Sequence, residues 1–318
     1  MATGAGERPP GPSLATRVGS LQLANPVMTA SGTAGHGAEL AAYLDLASLG
    51  AVVVKSLAAA PWPGNPAPRL HPVAAGMLNS VGLEGPGVTA WLERDLPGLE
   101  AAGATVVASI WGRTIEEFAR AAEAISVAPA CVVAVEVNVS CPNLEDRSSM
   151  FAHSPGATAA AVRACEPCAR PRWAKLSPNV PDLASIAAAA VDGGAEAVTL
   201  VNTVLGLAID PERRAPVLGA LRGGLSGRAI HPVAVRAVYD VRAALPEVPI
   251  VGVGGVHDGP SAVELLLAGA DAVQVGTATF ANPRAAADVL EDLSRWCVSH
   301  GVEDVAELVS AAHRAGPR

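Results

Sequence analysis

The chain has 318 residues, of which 50% are hydrophobic and 16% are charged, so it can bury a sizeable core and most of it is expected to fold. A formal net charge of −8 and the lack of Lys or Arg runs argue against nucleic acid or an anionic membrane as the main partner. Its five cysteines, an odd number in a long chain, do not suggest a disulfide framework and fit a reducing compartment.

The first residues carry no targeting signal that we recognise. Residues 1–13 are polar, with Gly and Pro, and lack the basic start and apolar centre of a signal peptide. We expect them to form a disordered tail before a single domain over residues 14–318. No later apolar run reaches the length of a transmembrane helix, so the sequence predicts a soluble cytoplasmic protein.

From residue 25 onward, short apolar segments alternate with Ala-rich segments of helical periodicity. The predicted strands are 25–31, 51–56, 104–110, 131–139, 173–177, 196–202, 249–255 and 271–277. The predicted helices are 36–50, 114–126, 181–192, 230–245, 259–269 and 283–299. A Pro- and Gly-rich segment over 57–87 interrupts the alternation and is predicted to be a long functional loop. This order indicates an α/β fold, and a (β/α)8 TIM barrel closes eight parallel strands most economically, with a doubly wound open sheet as the alternative.

The fourth predicted strand ends in an unusual polar group. Residues 131–143 read CVVAVEVNVSCPN, an apolar strand followed by Asn138, Ser140, Cys141 and Asn143. The carboxyl ends of barrel strands hold the chemistry of such folds, so a thiol placed there is a candidate nucleophile or base. The alternative is a small buried cysteine beside turn-forming asparagines.

Other polar residues and glycines also fall at the carboxyl ends of predicted strands. They are Ser31, Lys55, Asn138, Lys175, Asn202, Gly254, Gly255, Gly276 and Thr277. Lys55 and Lys175 are the only lysines in a chain whose other basic side chains, apart from histidine, are arginines. A compact ammonium at two strand ends suits contact with an anion, although ordinary strand-end cations are the alternative.

The last two predicted strands end in the glycine-containing segments GVGGV and VGTATF. Glycines allow backbone amides to approach a ligand, Thr277 adds a hydroxyl, and a helix that follows Asn282 can present its positive end. The loops after strands seven and eight are the usual phosphate site of such barrels. We therefore expect a phosphate-bearing ligand there, with simple tight turns as the alternative.

Nine motifs occur in an order that is specific to one known family. They are NPVMTASGT, VVVKS, GMLNSVGL, NVSCPN, KLSPNV, VNT, GGLSG, VGVGG and VGTATF. With them, residues 17–299 resemble the class 1 dihydroorotate dehydrogenases, most of all the class 1B, NAD-dependent catalytic subunits. The resemblance implies a barrel that binds one FMN and oxidises dihydroorotate to orotate in de novo pyrimidine biosynthesis.

The resemblance also implies roles for individual residues. Cys141 would be the base that removes a proton from C5 of the substrate, while FMN accepts the hydride from C6. FMN would be lined by Ser31, Lys55, Ser56, Asn138, Lys175, Val201, Gly227, Gly254, Gly255, Gly276 and Thr277. The substrate would be bound by Lys55, Asn79, Ser80, Val81, Gly82, Leu83, Asn138, Asn143, Asn202 and Thr203. Residues 142–157 would form a lid, and no metal site is expected because the histidines show no metal-binding spacing.

The electron acceptor depends on a partner. Class 1B catalytic subunits work with a subunit that carries FAD and a 2Fe-2S cluster and passes electrons to NAD, as a heterotetramer, whereas class 1A enzymes are homodimers that use fumarate. This chain contains no second flavin motif or set of cluster ligands, so NAD use would require such a partner. The chain departs from the family pattern at Gly85, at Arg228, at 109–111 and at 144–154.

Three other functions remain open from the residues. An FMN enzyme that acts on another dihydropyrimidine would keep the cysteine. A lyase or aldolase would use Lys55 or Lys175 as a Schiff base, and a non-catalytic flavin- or phosphate-binding barrel would need neither. Cys165 and Cys168 form a CxxC sequence that we expect to lie away from the predicted flavin and to have no redox or metal role.

Overall fold

The computed structural model describes residues 11–140 and 150–314. Its strands are β1 Thr16–Val18, β2 Leu21–Leu23, β3 Val27–Thr29, β4 Val52–Val53, β5 Leu70–Val73, β6 Gly76–Asn79, β7 Val106–Ile110, β8 Val132–Asn138, β9 Arg172–Lys175, β10 Ala197–Leu200, β11 Val204–Gly206, β12 Ile209–Asp210, β13 Ala215–Pro216, β14 Gly223–Ser226, β15 Ile250–Val253 and β16 Ala272–Val275. Its α-helices are α1 Val88–Arg94, α2 Leu96–Ala101, α3 Ile115–Ile125, α4 Pro155–Ala164, α5 Leu183–Asp192, α6 His231–Ala244, α7 Gly259–Ala268, α8 Ala278–Ala281, α9 Ala285–His300 and α10 Ala311–Arg314. No helix in these two ranges is both long and apolar enough to cross a membrane.

Eight parallel strands form one sheet in the order β3-β16-β15-β10-β9-β8-β7-β4. A parallel bridge between Met28 and Ala51 joins the first strand to the last, which closes the sheet into a barrel. Helices α3, α5, α6, α7 and α9 follow individual strands and surround it. The predicted (β/α)8 TIM barrel is confirmed, and the open doubly wound sheet is wrong.

The strands are apolar because both of their faces are covered. In β8, Val135 and Val137 pack in the large outer core under the helices, whereas Ala134 packs in a smaller cluster inside the barrel. That inner cluster contains Val18, Leu23, Met28, Ala51, Val53, Val107, Ala134, Trp173, Ala197, Val251 and Ala272. Its residues from the β1–β2 hairpin seal the amino end of the barrel, so ligand access is left to the carboxyl end.

The segment predicted as a helix over 36–50 forms only two short 3-10 helices, Glu39–Ala42 and Leu46–Ser48. Asp45 separates them, since its carboxylate accepts a hydrogen bond from the amide of Ala47 at 3.0 Å. A side chain that caps a new turn competes with continuation of the preceding helix. The Ala-rich pattern therefore overestimated helix here.

The predicted loop over 57–87 contains the β5–β6 hairpin. Strand β6 also pairs with β14, and β14 with β11, so residues from distant parts of the chain build a four-stranded antiparallel sheet beside the barrel mouth. The pairing of β6 with β14 was missed because these two strands lie well over 100 residues apart in sequence. The functional role of the segment 57–87 remains a prediction.

Half of the predicted lid over 142–157 lies outside the described ranges, which resume at Met150. The described part, from Met150, is not a loop: Phe151–His153 is a 3-10 helix and α4 begins at Pro155. Phe151 is buried, edge-on to Phe118 of α3 at a centroid distance of 5.3 Å. Phe151 thus anchors the described end of this segment to the core, and the lid role stays a prediction.

The amino-terminal boundary of the domain remains a prediction. Ser13, the last residue of the expected tail, donates a backbone hydrogen bond to Glu303 at 2.8 Å and accepts one from Val305 at 2.9 Å. Residues 1–10 lie outside the described ranges. The Cys165–Cys168 pair is buried in the outer core, and neither cysteine lines the cavity described below.

Candidate active site at the carboxyl ends of the barrel strands

A cavity of about 530 Å³ opens at the carboxyl ends of the barrel strands, under the sheet that contains β6 and β14. Every predicted site residue within the described ranges lines it: Ser31, Lys55, Ser56, Asn79, Ser80, Val81, Gly82, Leu83, Asn138, Lys175, Val201, Asn202, Thr203, Gly227, Gly254, Gly255, Gly276 and Thr277. Predicted residues Cys141 and Asn143 lie outside those ranges. The structure brings the set together, and the role of each residue remains a prediction.

Asn138 at the end of β8 lies at the centre of a buried hydrogen-bond network. Its amide nitrogen donates to Ser56 Oγ at 3.1 Å, and its amide oxygen accepts from Asn202 Nδ2 at 3.2 Å and from the Ser140 amide at 3.1 Å. Ser56 Oγ in turn lies 2.8 Å from Ser109 Oγ. The network locks the orientation of two carboxamides, which offer both donors and acceptors to a planar heterocycle.

Asn179 supplies a third carboxamide, which was not predicted from the sequence to belong to the site. Its Nδ2 atom donates to Ser177 Oγ at 2.9 Å and to the Thr203 carbonyl at 3.0 Å, and its Oδ1 atom accepts from the Leu205 amide at 2.9 Å. Asn179 therefore ties the segment after β10 to the end of β9. Its place in the KLSPNV motif, just past a strand end, was an available signal.

Two residues of the 57–87 segment hold the predicted substrate loop. The indole of Trp62 donates to the carbonyl of Gly82 at 2.9 Å, and the side chain of Asn65 donates to the carbonyl of Ser80 at 3.2 Å. Gly82 has φ +74°, and a Cβ atom there would lie 2.5 Å from Asn65. The loop therefore needs glycine at this position, and its shape is fixed by side chains that sequence reasoning did not single out.

An aromatic and cationic cluster forms one wall of the mouth. Trp62 meets Trp111 edge-on at 5.9 Å, and the guanidinium of Arg113 lies 4.3 Å from the Trp62 ring centroid. Glu117 accepts from Arg113 at 2.6 Å and 3.2 Å, which holds the guanidinium in place. These contacts position rigid side chains at the entrance.

Among the described residues that depart from the family pattern, Trp111 and Met150 line the main cavity. Gly85 lies outside it and lines a second cavity of about 590 Å³ that shares Lys55 and Trp62 with the first. Arg228 lies in an exposed 3-10 turn, Arg228–Ile230. Gly85 and Arg228 therefore leave the walls of the main cavity unchanged.

The two lysines have different surroundings. Within the described ranges, the Lys55 ammonium has no hydrogen bond or ion pair, and burial lowers its pKa from the ordinary lysine value although the nearby Glu84 opposes the change. Lys175 is almost fully buried, and its Nζ atom lies 3.5 Å from Ser31 Oγ. Lys55 is thus the cation on this wall that is open to an anionic ligand.

A glycine cradle forms the opposite wall, at the ends of β15 and β16. Gly254 and Gly255 have φ +135° and +75°, and a Cβ atom at Gly255 would lie 2.6 Å from His231 Cβ. The amides of Gly255, Gly276 and Thr277 donate no hydrogen bond to any other described residue. Unpaired amides beside a cavity are the donors that a phosphate requires.

A family model described as Dihydroorotate dehydrogenase matches residues 13–296. The chain belongs to the dihydroorotate dehydrogenase family. Three similar proteins are named "Dihydroorotate dehydrogenase B (NAD(+)), catalytic subunit". The one from Desulforudis audaxviator is 49% identical over 95% of this chain and 98% of the relative. Those from Trichlorobacter lovleyi and Alkaliphilus metalliredigens are 44% and 45% identical, over 94% and 93% of this chain and 98% and 97% of the relative. The predicted family, with its class 1B character, and the predicted oxidoreductase activity are confirmed.

Dihydroorotate dehydrogenases depend on FMN, and the residues present fit that group. The cavity volume is within the range of cofactor sites. One wall offers unpaired backbone amides for a phosphate, and the floor carries the buried cation Lys175, which would favour negative charge on a reduced flavin ring. The glycines leave space for backbone contact that any side chain would fill.

Proposed function

We propose that this chain oxidises (S)-dihydroorotate to orotate with FMN, in the cytoplasm, as the catalytic subunit of an NAD-reducing enzyme of pyrimidine biosynthesis. One observation carries the proposal: a single cavity has an unpaired ammonium and fixed carboxamides on one side and a glycine cradle on the other. That arrangement suits an anionic pyrimidine stacked beside a phosphate-bearing cofactor.

FMN would be held by the residues of the cradle and the floor. The amides of Gly255, Gly276 and Thr277 would bind the phosphate, and the Thr277 hydroxyl is oriented by its hydrogen bond to Ser226 Oγ at 2.8 Å. Lys175 and Ser31 would lie near the ring. The cofactor supplies acceptance of the hydride from the substrate.

Replacing Gly255 with Ala is expected to weaken FMN binding about tenfold or more. The new methyl group would meet His231 and would impose a left-handed backbone on a residue with a side chain, which costs about 1–3 kcal/mol. Fluorescence titration of the apoprotein with FMN measures the change. The control is Gly156→Ala in α4, where the nearest atom to a new Cβ is 3.9 Å away. Equal affinity of the Gly255 variant and the wild type would contradict the cradle assignment.

The substrate would lie between the cradle and the Asn138 network. Lys55 would neutralise the orotate carboxylate, and Asn79, Asn138 and Asn202 would pair with the edge of the pyrimidine ring. The loop 79–83, held by Trp62 and Asn65, would close the carboxylate end. Each contact aligns the ring without taking part in proton transfer.

Cys141 would act as the base. It directly follows Ser140, which lines the cavity and whose amide is fixed by Asn138. A thiol with an ordinary pKa of about 8.5 can remove a proton from C5 once neighbouring groups favour the thiolate. Asn143, two residues further on, would contribute to the same subsite.

Binding of orotate should weaken as the pH rises into the alkaline range. Burial lowers the pKa of Lys55, so its ammonium loses a proton at lower pH than an exposed lysine, while the ligand carboxylate stays ionised. Affinity attributable to this contact is therefore full below the lowered pKa and is lost above it. Spectral titration of the flavin with orotate at a series of pH values checks this. In the Lys55→Arg variant, orotate affinity should no longer fall over this pH range. If the variant kept the pH profile of the wild type, Lys55 would not be the group responsible.

A partner subunit is part of the proposal. The relatives are named catalytic subunits, which supports a second chain. That chain would carry FAD and a 2Fe-2S cluster and transfer electrons to NAD. The catalytic chain would form a homodimer, or a heterotetramer together with the second chain. Leu205, which lines the cavity, is exposed, as are Leu207 and Ile209 after it in the chain, and they offer apolar surface for association. A class 1A homodimer that uses fumarate, or an enzyme for another dihydropyrimidine, is the alternative.

An anaerobic visible spectrum before and after addition of dihydroorotate tests the function. Bleaching of a bound flavin band supports the proposal, and subsequent addition of NAD with the partner, fumarate or a quinone identifies the acceptor by return of the band. A flavin band that dihydrouracil but not dihydroorotate bleaches would move the substrate to another dihydropyrimidine. A chain that cannot be reconstituted with FMN would overturn the proposal.

A further inference from the structure

A layer of buried polar side chains lies inside the barrel between the apolar plug and the cavity. It includes Glu136, Lys175, Thr199 and Gln274, all with relative exposures of 4% or less. No role for Glu136 or Gln274 was predicted from the sequence. Polar groups in so apolar a position are costly unless they are paired, so their arrangement requires a reason.

The hydrogen bond from Gln274 to Glu136 crosses the interior of the barrel. Gln274 Nε2 donates to Glu136 Oε2 at 2.8 Å. Gln274 belongs to β16 and Glu136 to β8, and three strands separate them in the sheet order on one side of the closed barrel. The bond is therefore not a contact between neighbouring strands, and it fixes the carboxylate near the barrel axis.

The second oxygen of the carboxylate faces Lys175. Glu136 Oε1 has no hydrogen-bond partner and lies 3.7 Å from Lys175 Nζ, which is also 3.5 Å from Ser31 Oγ. Both side chains are almost inaccessible to solvent, at 0% and 5% exposure. An ion pair in such a site acts over a short range with little screening by solvent. Lys175 and Ser31 line the cavity, whereas Glu136 lies beneath it.

We propose that Glu136 is a positioning residue, held across the barrel by Gln274, that fixes the Lys175 ammonium at the cavity floor and sets the reduction potential of the bound flavin. The proposal deepens the function given above and rests on FMN binding in this cavity. Glu136 would not touch the substrate or the cofactor. It acts by holding the Lys175 ammonium in position and by offsetting part of the positive potential that this ammonium exerts on the flavin ring.

The direction of the effect follows from the charges. Reduction adds negative charge to the flavin ring, which Lys175 favours and the carboxylate of Glu136 opposes. The carboxylate also draws the ammonium toward the barrel axis. Removing the negative charge while keeping the shape should therefore leave Lys175 more available to the ring and should make the flavin easier to reduce.

The test is the midpoint potential of FMN bound to Glu136→Gln, measured anaerobically against a reference dye. We expect the equilibrium constant for reduction to rise at least tenfold, which is about 30 mV more positive for a two-electron couple. Glu136→Asp, which keeps the charge in the barrel, should shift the potential less than Glu136→Gln. It also serves as the second variant if Glu136→Gln does not accumulate as folded protein, because any positive shift that it shows must then follow from withdrawal of the carboxylate.

Asp271→Asn is the matched control. It removes one partly buried carboxylate, which pairs with Arg242 at 2.8 Å beside the amino end of β16, away from the cavity. Its flavin potential should equal that of the wild type. The FMN dissociation constant of every variant is measured alongside by fluorescence.

The possible results separate this inference from the proposed function. No binding of FMN to the wild type would overturn the function itself. Wild-type binding of FMN together with an unchanged or more negative potential in Glu136→Gln would overturn only the role of Glu136. The same would follow from an equal shift in Asp271→Asn, since net charge and not position would then explain the result.

Discussion

Replacing Cys141 with Ala is expected to slow reduction of the bound flavin by dihydroorotate by roughly 10²–10⁴-fold, the usual contribution of a positioned general base. Oxidation to orotate requires loss of a proton from C5 as well as of a hydride from C6, so loss of the base is expected to slow the reaction without removing the flavin. FMN content and orotate affinity should stay near the wild-type values. Anaerobic stopped-flow measurement of the flavin band gives the rate directly.

Cys131→Ala is the control for the Cys141 variant. Cys131 precedes the first residue of β8, so it places the same substitution at the opposite end of the strand that leads to Cys141. Its rate of flavin reduction should match that of the wild type. If Cys141→Ala reduced the flavin as fast as Cys131→Ala, the base would have to be another group.

Replacing Lys55 with Met is expected to weaken orotate binding by about 2–5 kcal/mol, roughly thirtyfold or more. Lys55 lines the cavity without an ion-pair partner in the described ranges, so a ligand carboxylate is the charge that it can neutralise. Met keeps much of the length and apolar character of the side chain, which isolates the loss of charge. Titration of the flavin spectrum with orotate measures the affinity.

Arg113→Met is the control for Lys55, because Arg113 lines the same cavity but already pairs with Glu117 at 2.6 Å. Its effect on orotate affinity should be much smaller. Uracil, which lacks the carboxylate, should bind the Lys55 variant about as well as the wild type. An equal loss of uracil binding would show that Lys55 supports the shape of the site and not the carboxylate.

The sequence was sufficient to predict the barrel because strands that are covered on both faces are apolar segments, and these segments alternate with segments of helical periodicity. Strands β7, β8, β15 and β16 lie within the predicted segments, and so do helices α3 and α5. The site residues could be predicted because polar residues that end parallel strands must meet at one rim. Asn138, Lys175 and Gly254 therefore converge although they are far apart in the chain.

Local patterns failed where distant residues decide the conformation. The segment 57–87 becomes a hairpin through pairing of β6 with β14, and Phe151 is fixed by packing against Phe118. Neither partner is visible in the surrounding sequence. A local interaction had a similar effect at Asp45. Its side chain caps a new turn and so interrupts the helix that the Ala-rich composition predicted over 36–50.

The sequence by itself therefore determined the fold class, the family and the residues of the rim, because period, strand-end position and motif order are properties of the chain. Only the tertiary structure decided which carboxamides are locked, which lysine is open to a ligand, and that Gln274 reaches Glu136 across the barrel. Those features depend on distances between strands that closure of the sheet creates. A buried carboxylate within the apolar strand β8 looks like an interruption in the sequence, and its partner appears only when the opposite strand faces it.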